Sequence, residues 1–412
     1  MKLSNTLDSA NVGTPPAKIL LPDSEPVSPA EIRIARTIAD VEAIRETWSA
    51  WRTHRDADID FCLRYVWTGQ EFIRPHVIVL YRYGKPDAML VGRLEHAQTD
   101  YKIGYLRFPG IRVRLLSFAY RGMLGNLSVE NSSELVKSIM DGLRQGEAEM
   151  AFLHQPSTDS HIYQKALSLA GPSRDHLTRP GARYLMRLPS EIKEAYSALS
   201  GTQRKRLRRN EEKLRARFQD DVEIRCFRQA KELDIVLPQV ECIARETYQR
   251  GLGVGFENTE LMYRRLRVCA ERGWLRIYLL SLGGQPCAFW IGTVYGGGFC
   301  SDYTGFDTRF ADYSLGSYLL TKMVEDFIKT GVEEIDFGPG QAEYKERFGN
   351  RRLLEASVCI FAPSMKGLML NAVRTSTGLA DGAVRKTLQR TNLLPKIKRF
   401  WRARLAKRIA RE

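Results

Sequence analysis

Apolar and polar residues alternate along this chain with two periods, near 2 and near 3.6, and the changes of period mark most of its elements. Ile32–Ala50 and its neighbours read as a helix. HVIVLYRYGKPDAMLVGRLE (76–95) has the pattern of two strands joined by a Tyr-Gly-Lys-Pro turn. IGYLRF (103–108) and VRLLSFAY (113–120) are expected to continue that sheet, and AYRGMLGN (119–126) to form a loop where it opens. SSELVKSIMDGLRQG (132–146) carries Leu135, Ile139, Met140 and Leu143 at helical spacing behind a Ser-x-x-Glu-like start. EMAFLHQ (149–155) predicts a strand, SHIYQKALSLA (160–170) a helix and ARYLMRL (182–188) another strand.

A second alternation begins near Ser190. Ser200-Gly-Thr-Gln203 is a capping-box pattern that opens a basic helix with Leu207, Leu214 and Phe218 as its apolar stripe. VEIRCFR (222–228) reads as a strand, ELDIVLPQVECIARETYQR (232–250) as a helix interrupted by proline, and LMYRRLRVCAERG (261–273) as a helix closed by Gly273. WLRIYLLSLGGQPCAFWIGTVYGGGFCSDYTGFD (274–307) predicts three antiparallel strands turning at Leu-Gly-Gly-Gln-Pro and Tyr-Gly-Gly-Gly. SLGSYLLTKMVEDFIKTG (314–331) predicts a capped amphipathic helix stopped by Gly331. VEEIDFG (332–338) and LEASVCIFAP (354–363) predict the last two strands. The first half follows a looser version of this order, so two related units are expected, without a residue-level repeat to tie them.

Length and composition fit that division. A chain of 412 residues has room for two to three domains. No window approaches the roughly 18 consecutive apolar residues of a membrane span. The start, MKLSNTLDSANVGTPPAKILLPDSEPVSPAE, lacks the apolar core of a signal peptide and reads as a flexible leader over 1–31. The seven cysteines stand singly, without CxxC spacing. They therefore suggest reduced thiols rather than a disulfide framework or a zinc site, and place the chain in the cytoplasm. No metal is expected. The units are expected at 32–189 and 190–363, with a tail over 364–412.

Charge adds two features. The net charge is +15, concentrated in RKRLRRNEEKLRAR (204–217) and in the stretch 385–411, which holds eleven basic residues and no acidic one. Such runs attract nucleic acid, anionic lipid or a phosphorylated ligand, or are solvated helix faces. From Pro395 the tail predicts a basic amphipathic helix with Ile397, Trp401, Leu405 and Ile409 on one face. That pattern suits an anionic membrane surface through 395–411, with peripheral attachment to the inner membrane face, or packing of Trp401 onto the protein itself.

Chemistry centres on 298–349. A helix N-terminus after a strand offers unpaired N–H groups and the positive end of the dipole. In ADYSLGSYLL, Ser314 is the expected cap, and Gly316 either lets a phosphate approach the backbone or serves packing. Three stretches then resemble a known family: LSGTQRKRLRRNEEKL (199–214), SDYTGFDTRFADYSLGSYLL (301–320) and IDFGPGQAEYKERFG (335–349). The chain is similar to the GNAT superfamily and, more narrowly, to the bacterial CelD/BioF2-like acetyltransferases, relatives of the Fem aminoacyl transferases. The likeness covers most of 190–360, and its most specific part is Asp-Phe-Gly-x-Gly followed by Tyr-Lys and Phe.

The resemblance implies an α/β (α+β) fold of two tandem GNAT-like units, with mixed, mostly antiparallel sheets flanked by helices. It also implies an acyl-thioester donor: acyl-CoA or acetyl-CoA, with aminoacyl-tRNA as the Fem-like alternative. The donor arm would enter between strands Phe299–Gly305 and Val332–Gly338, with its pyrophosphate at Tyr313, Ser314, Leu315, Gly316 and Ser317. Of the usual Gln/Arg-x-x-Gly-x-Gly/Ala pattern only Gly316 remains, since Tyr313 and Tyr318 take the end positions. Direct transfer needs a base, oxyanion donors and an acid for the thiolate. Asp336 is then a candidate base or a clamp on the FGPG turn, Tyr344 an acid or core residue, and Lys345 a phosphate or oxyanion ligand. Asp302, Tyr303 and Glu343 are the expected substrate contacts. The six histidines (54, 76, 96, 154, 161, 176) all precede residue 190 and read as structural or surface groups. The family's link with polysaccharide production implies a carbohydrate or lipid-linked acceptor. A non-catalytic, membrane-attached factor with the same fold is the third reading.

Overall fold

The computed structural model describes residues 29–103, 106–219, 221–247, 250 and 255–390. The leader up to residue 28 and the expected helix from Pro395 lie outside them. The first described element is a strand where helix was expected: β1 (Glu31–Ala35) alternates exposed and half-buried residues up to the buried Ala35 and pairs with β3. Helix begins only after Thr37, whose hydroxyl and Asp40 form a capping box. Helices α1 (Ile38–Ala43), α2 (Arg45–Trp51) and α3 (Ile59–Arg64) precede β2 (Phe72–Pro75), β3 (Val77–Arg82) and β4 (Lys85–Gln98). IGYLRF does not extend the sheet. Its described part belongs to a separate hairpin of β5 (Tyr101–Ile103) and β6 (Leu106–Phe108). The expected loop 119–126 is instead the second half of a long strand, β7 (Arg112–Gly125), paired along β4. Helix α4 (Val129–Arg144) starts before the expected Ser132, capped by Ser128. Then come β8 (Met150–Leu153), α5 (His161–Ala170), β9 (Gly181–Arg187) and α6 (Ile192–Ser197).

The second half supplies α7 (Gly201–Phe218), opened by the Ser200/Gln203 capping box, then β10 (Val222–Phe227) and α8 (Leu233–Arg245). Pro238 sits inside α8, which stays a single helix. Next are α9 (Glu260–Glu271), β11 (Leu275–Leu282), β12 (Gln285–Tyr295), β13 (Gly298–Phe306), α10 (Leu315–Lys329), β14 (Glu334–Pro339) and α11 (Glu343–Phe348). Strands β15 (Arg351–Glu355) and β16 (Val358–Phe361) and helix α12 (Met365–Arg390) follow. Among the described residues there are two mixed seven-stranded sheets. One has the order β1-β3-β4-β7-β8-β16 with β2 on β4, the other β10-β11-β12-β13-β14-β9-β15. Both are mostly antiparallel, each with one parallel pair, β7/β8 and β13/β14. This is the tandem GNAT-like α/β architecture expected.

The sheets do not follow a cut at 189/190. β9 crosses into the second sheet between β14 and β15, and β16 returns to the first, where it pairs with β8. The expected single strand 354–363 is therefore two strands in different sheets. A period of 2 fixes which face a side chain occupies, not which sheet a strand joins.

The two halves also share a residue-level repeat. Leu80, Gly84, Pro86, Ala88 and Gly92 recur 200 positions later as Leu280, Gly284, Pro286, Ala288 and Gly292. The hairpins they build match in register: Tyr81 opposes Pro86 as Ser281 opposes Pro286, and each has a bulge just before that pair. A second bulge falls at Gly92 and at Gly292. There the backbone presses against the Phe118 and Phe299 rings respectively, leaving no room for a Cβ. One core lies between the first sheet and α4/α5, and another between the second sheet and α10. On the second sheet's other face, α8 and α9 pack together with Phe61 of α3, which joins the halves.

Candidate active site

The parallel pair β13/β14 is hydrogen-bonded over only three positions, ending at Cys300↔Asp336. Beyond it β13 follows β12 to Phe306, while β14 turns away through Gly338 at φ +75°. The result is a V-shaped gap in the second sheet. A groove of about 440 Å³ runs from this gap over the start of α10, walled by Trp290, Thr304, Phe306, Ser314, Gly316 and Tyr344. Trp290 is fixed by donating its indole N–H to the Ser301 hydroxyl at 2.7 Å, and the Tyr344 ring stands edge-on to Trp290 and Phe337.

The start of α10 departs from the expected cap. Ser314 has a left-handed backbone (φ 52°, ψ 46°) and its side chain caps nothing. It accepts instead from Arg206 Nη2 of α7, at 3.4 Å. The first helical N–H groups, of Leu315 and Gly316, have no carbonyl one turn back inside the helix. Gly316 is not held by tight packing: a Cβ there would meet only the Phe306 ring, at 3.8 Å. Arg347, on the same groove, pairs with the exposed Glu343.

Of the residues expected from sequence, Ser314, Gly316, Ser317, Glu343 and Tyr344 line this groove. Tyr313 does not; its ring packs on Phe218 at 5.8 Å. Leu315 is buried in the core. Lys345 lies beneath the gap, donating to the carbonyls of Gly338 (3.2 Å) and Pro339 (2.8 Å). Burial, and then the Arg183 charge, lower the Lys345 pKa to about 8 against the opposing pull of the Asp336 charge.

Asp336 projects to the opposite face of the sheet from Ile335 and Phe337. One of its oxygens accepts the Gly338 N–H at 2.8 Å and the other binds Arg183 at 2.7 Å. It clamps the FGPG turn, and its oxygens are committed to that task. Arg183 also binds Glu355 at 2.7 Å and lies over the Tyr120 ring. Asp302 and Tyr303 are likewise away from the groove. Tyr303 packs on Phe256. Asp302 is the extra residue at the β12/β13 bulge, and it accepts from Arg55 Nη1 (2.8 Å) and Nη2 (3.0 Å) and from Arg265 Nη2 (2.8 Å). Arg55 reaches across from the first half and also pairs with Asp56 at 3.1 Å. Two arginines and two aspartates thus sit together with balanced charge, Arg55 buried and the other three half-buried. Burial alone would raise both carboxyl pKa values, but the guanidinium groups hold them below the ordinary range.

A second cleft, of about 350 Å³, opens between the halves on that face, bordered by His54, Arg121, Arg187, Cys300, Asp336 and Arg351. His54, read from sequence as structural, packs here: its Nε2 is 3.2 Å from Cys300 Sγ. Donor atoms of His54, Cys300 and Asp336 lie within 4.8 Å of one another. The His54 Nδ1 accepts the Asp56 N–H at 3.1 Å, so the neutral ring carries its proton on Nε2, facing the sulfur. With Asp336 bound to Arg183 as well, the set is hydrogen-bonded rather than arranged around a cation. Burial lowers the His54 pKa to about 4 and raises that of Cys300 to about 12.

Among the groove's other walls, Arg206, Trp290, Thr304, Arg347 and Gln341 carry no local motif in the sequence. Arg206 and Arg347 lie inside two of the stretches that resemble the family, and the packing of α7 against α10 and of α11 against β9 brings them to one groove.

The splayed strand pair and the helix N-terminus beneath it both lie in the part of the chain that the sequence comparison matches. Residues 201–346 match the family model described as "Acetyltransferase (GNAT) domain". No curated protein matches the chain. Among solved structures, the chain is similar to the C-terminal domain of a putative lysylphosphatidylglycerol synthetase from Agrobacterium fabrum. Identity there is 13%, with 81% of this chain and 94% of that one covered and a TM-score of 0.47. FemX matches at 10% identity, 73% and 90% coverage and TM-score 0.49. A GCN5-related N-acetyltransferase from Sphaerobacter thermophilus matches at 14%, 81% and 96%, and 0.38.

Proposed function

We propose that the chain moves an acyl group from acyl-CoA to an amine or hydroxyl by direct transfer, as a CelD/BioF2-like enzyme acting on a cell-envelope or exopolysaccharide precursor. The observation that supports it most is that β13 and β14 part after Cys300↔Asp336, and that Thr304, Gly305 and Phe306 of the freed β13 then wall the groove over α10. At about 440 Å³ the groove is in the size range of small-ligand sites and takes a pantetheine-sized arm. The N-terminus of α10 with Arg206 and Arg347 supplies positive charge for phosphates. Acyl-CoA would contribute an activated thioester. Trp290 and Tyr344 would fix the acyl end, and the Tyr344 hydroxyl would return a proton to the departing thiolate. Lys345, as an ammonium below the gap, would offset negative charge on the tetrahedral oxygen. Asp336 would position Lys345 by holding the Gly338 turn whose carbonyl Lys345 binds.

The Fem-like reading, in which the donor is aminoacyl-tRNA, has one observation of its own. Arg204, Lys205, Arg208 and Arg209 of α7 line a hollow of about 870 Å³ beside the groove. Titration of acetyl-CoA, longer acyl-CoAs and charged tRNA against the protein separates the two. Saturable acyl-CoA binding that is weakened by Arg206→Ala supports the first. Tight tRNA binding with a steep salt slope supports the second, and binding of neither donor refutes both.

A further inference from the structure

Helix α12 is fastened to the first half by one face. Leu370 is buried, Arg374 pairs with Asp175 at 2.6 Å, and Gly378 abuts Leu177. Residues spaced by four share a side of a helix, so this face is fixed and the opposite one is set toward solvent. A helix on a protein surface normally turns charged residues outward. Here the outward face is apolar: Met365 is 86% exposed, Leu368 55%, Met369 46% and Leu379 60%. With Ala372, Ala383 and one small polar residue, Ser376, they fall in an arc of roughly 100° that spans about 27 Å of helix. No charged residue lies in that arc before Lys386. The β5/β6 hairpin against this helix exposes Leu106 and Phe108 as well, at 69% and 44%.

The sequence then turns cationic, with eleven Lys/Arg and no Asp/Glu over 385–411. We infer that the outward face of α12 is a docking surface for an anionic lipid bilayer: the apolar arc enters the leaflet, and the cationic composition of the sequence that follows favours an anionic surface over a neutral one. An apolar face joined to a cationic segment is the composition of an interfacial helix. A second copy of the chain covers apolar surface equally well but brings no countercharge to the basic segment. The inference is independent of the acyl-transfer reading.

The test is co-sedimentation of the full chain with vesicles of phosphatidylcholine alone or with one third phosphatidylglycerol. Three variants are compared: wild type, Leu368→Glu/Met369→Glu/Leu379→Glu, and Lys396→Gln/Lys398→Gln/Arg399→Gln. Wild type should partition into the anionic vesicles and weakly into the neutral ones. The first variant, altered only at exposed positions and with unchanged circular dichroism, should lose partitioning by roughly tenfold or more. The second should lose the preference for anionic vesicles. Wild-type partitioning by the Leu368/Met369/Leu379 variant overturns the inference. So does a wild-type dimer in sedimentation velocity that this variant abolishes while vesicle binding is unchanged.

Discussion

Asp302→Asn separates a binding role from a structural one. The substitution keeps the shape of the side chain and one acceptor oxygen, but removes the charge that faces Arg55 and Arg265. Three charge-assisted hydrogen bonds of 2.8–3.0 Å are weakened or lost. Arg55, with a side chain only 4% exposed, keeps Asp56 and the Thr293 hydroxyl. Removing one member of a buried ion pair costs about 3–5 kcal/mol, and these surviving partners point to the lower end. At an m-value of about 3 kcal/mol/M, a loss of about 3 kcal/mol moves a urea midpoint down by roughly 1 M. The effect should depend on pH. The Asp302 pKa is lowered on folding, so its stabilisation is fully present above the unfolded value near 4 and is lost as pH falls through the folded one. Wild type and variant should therefore converge in strong acid. An unchanged urea midpoint at pH 7, accompanied by a raised acceptor KM, would refute the structural assignment and restore Asp302 as a substrate contact.

Arg206→Ala should weaken acyl-CoA binding by about fivefold, the worth of one exposed charge-assisted phosphate contact, with no effect on acyl-pantetheine; equal losses for both donors would place Arg206 away from the phosphates. With Lys345 at a pKa of about 8, activity should decline as pH rises through that value, and Lys345→Met should remove the decline along with most of the rate. A rate that instead climbs through pH 8 would make Lys345 a base. The lowered Lys345 pKa also means that stability rises as pH goes from about 8 to about 10, because the unfolded chain then holds more protons than the folded one; thermal unfolding of wild type against Lys345→Met measures that difference.

Hydrophobic periodicity revealed the alternation of strands and helices because each element buries one face, and burial is written in the sequence every 2 or 3.6 residues. It failed where length or partner choice decides. EIRIA is only five residues long before the Thr37 cap, too short to stand apart from the helical pattern that follows. The β9 and β16 segments carry ordinary strand patterns that do not state which sheet they complete. The repeat linking Leu80–Gly92 to Leu280–Gly292 was present in the letters, at bulges and turns where glycine and proline are required by backbone geometry, but five identities dispersed along a hairpin gain meaning only once the registers coincide. For the site, the Ser314–Ser317 loop and Tyr344 were legible from local motifs. Asp302 was misplaced because its partners, Arg55 and Arg265, are distant in sequence. Trp290 was missed because a tryptophan in a strand looks like core until the neighbouring strands part.

Isothermal titration of acetyl-CoA into wild type and Gly316→Trp tests the central claim most directly. The backbone at Gly316 is helical and the space beside it is open apart from the Phe306 ring at 3.8 Å, so an indole there should fill the groove without disturbing the fold. The donor-groove account predicts saturable binding to wild type and none to the variant at unchanged thermal stability. Equal affinity in both proteins would contradict it.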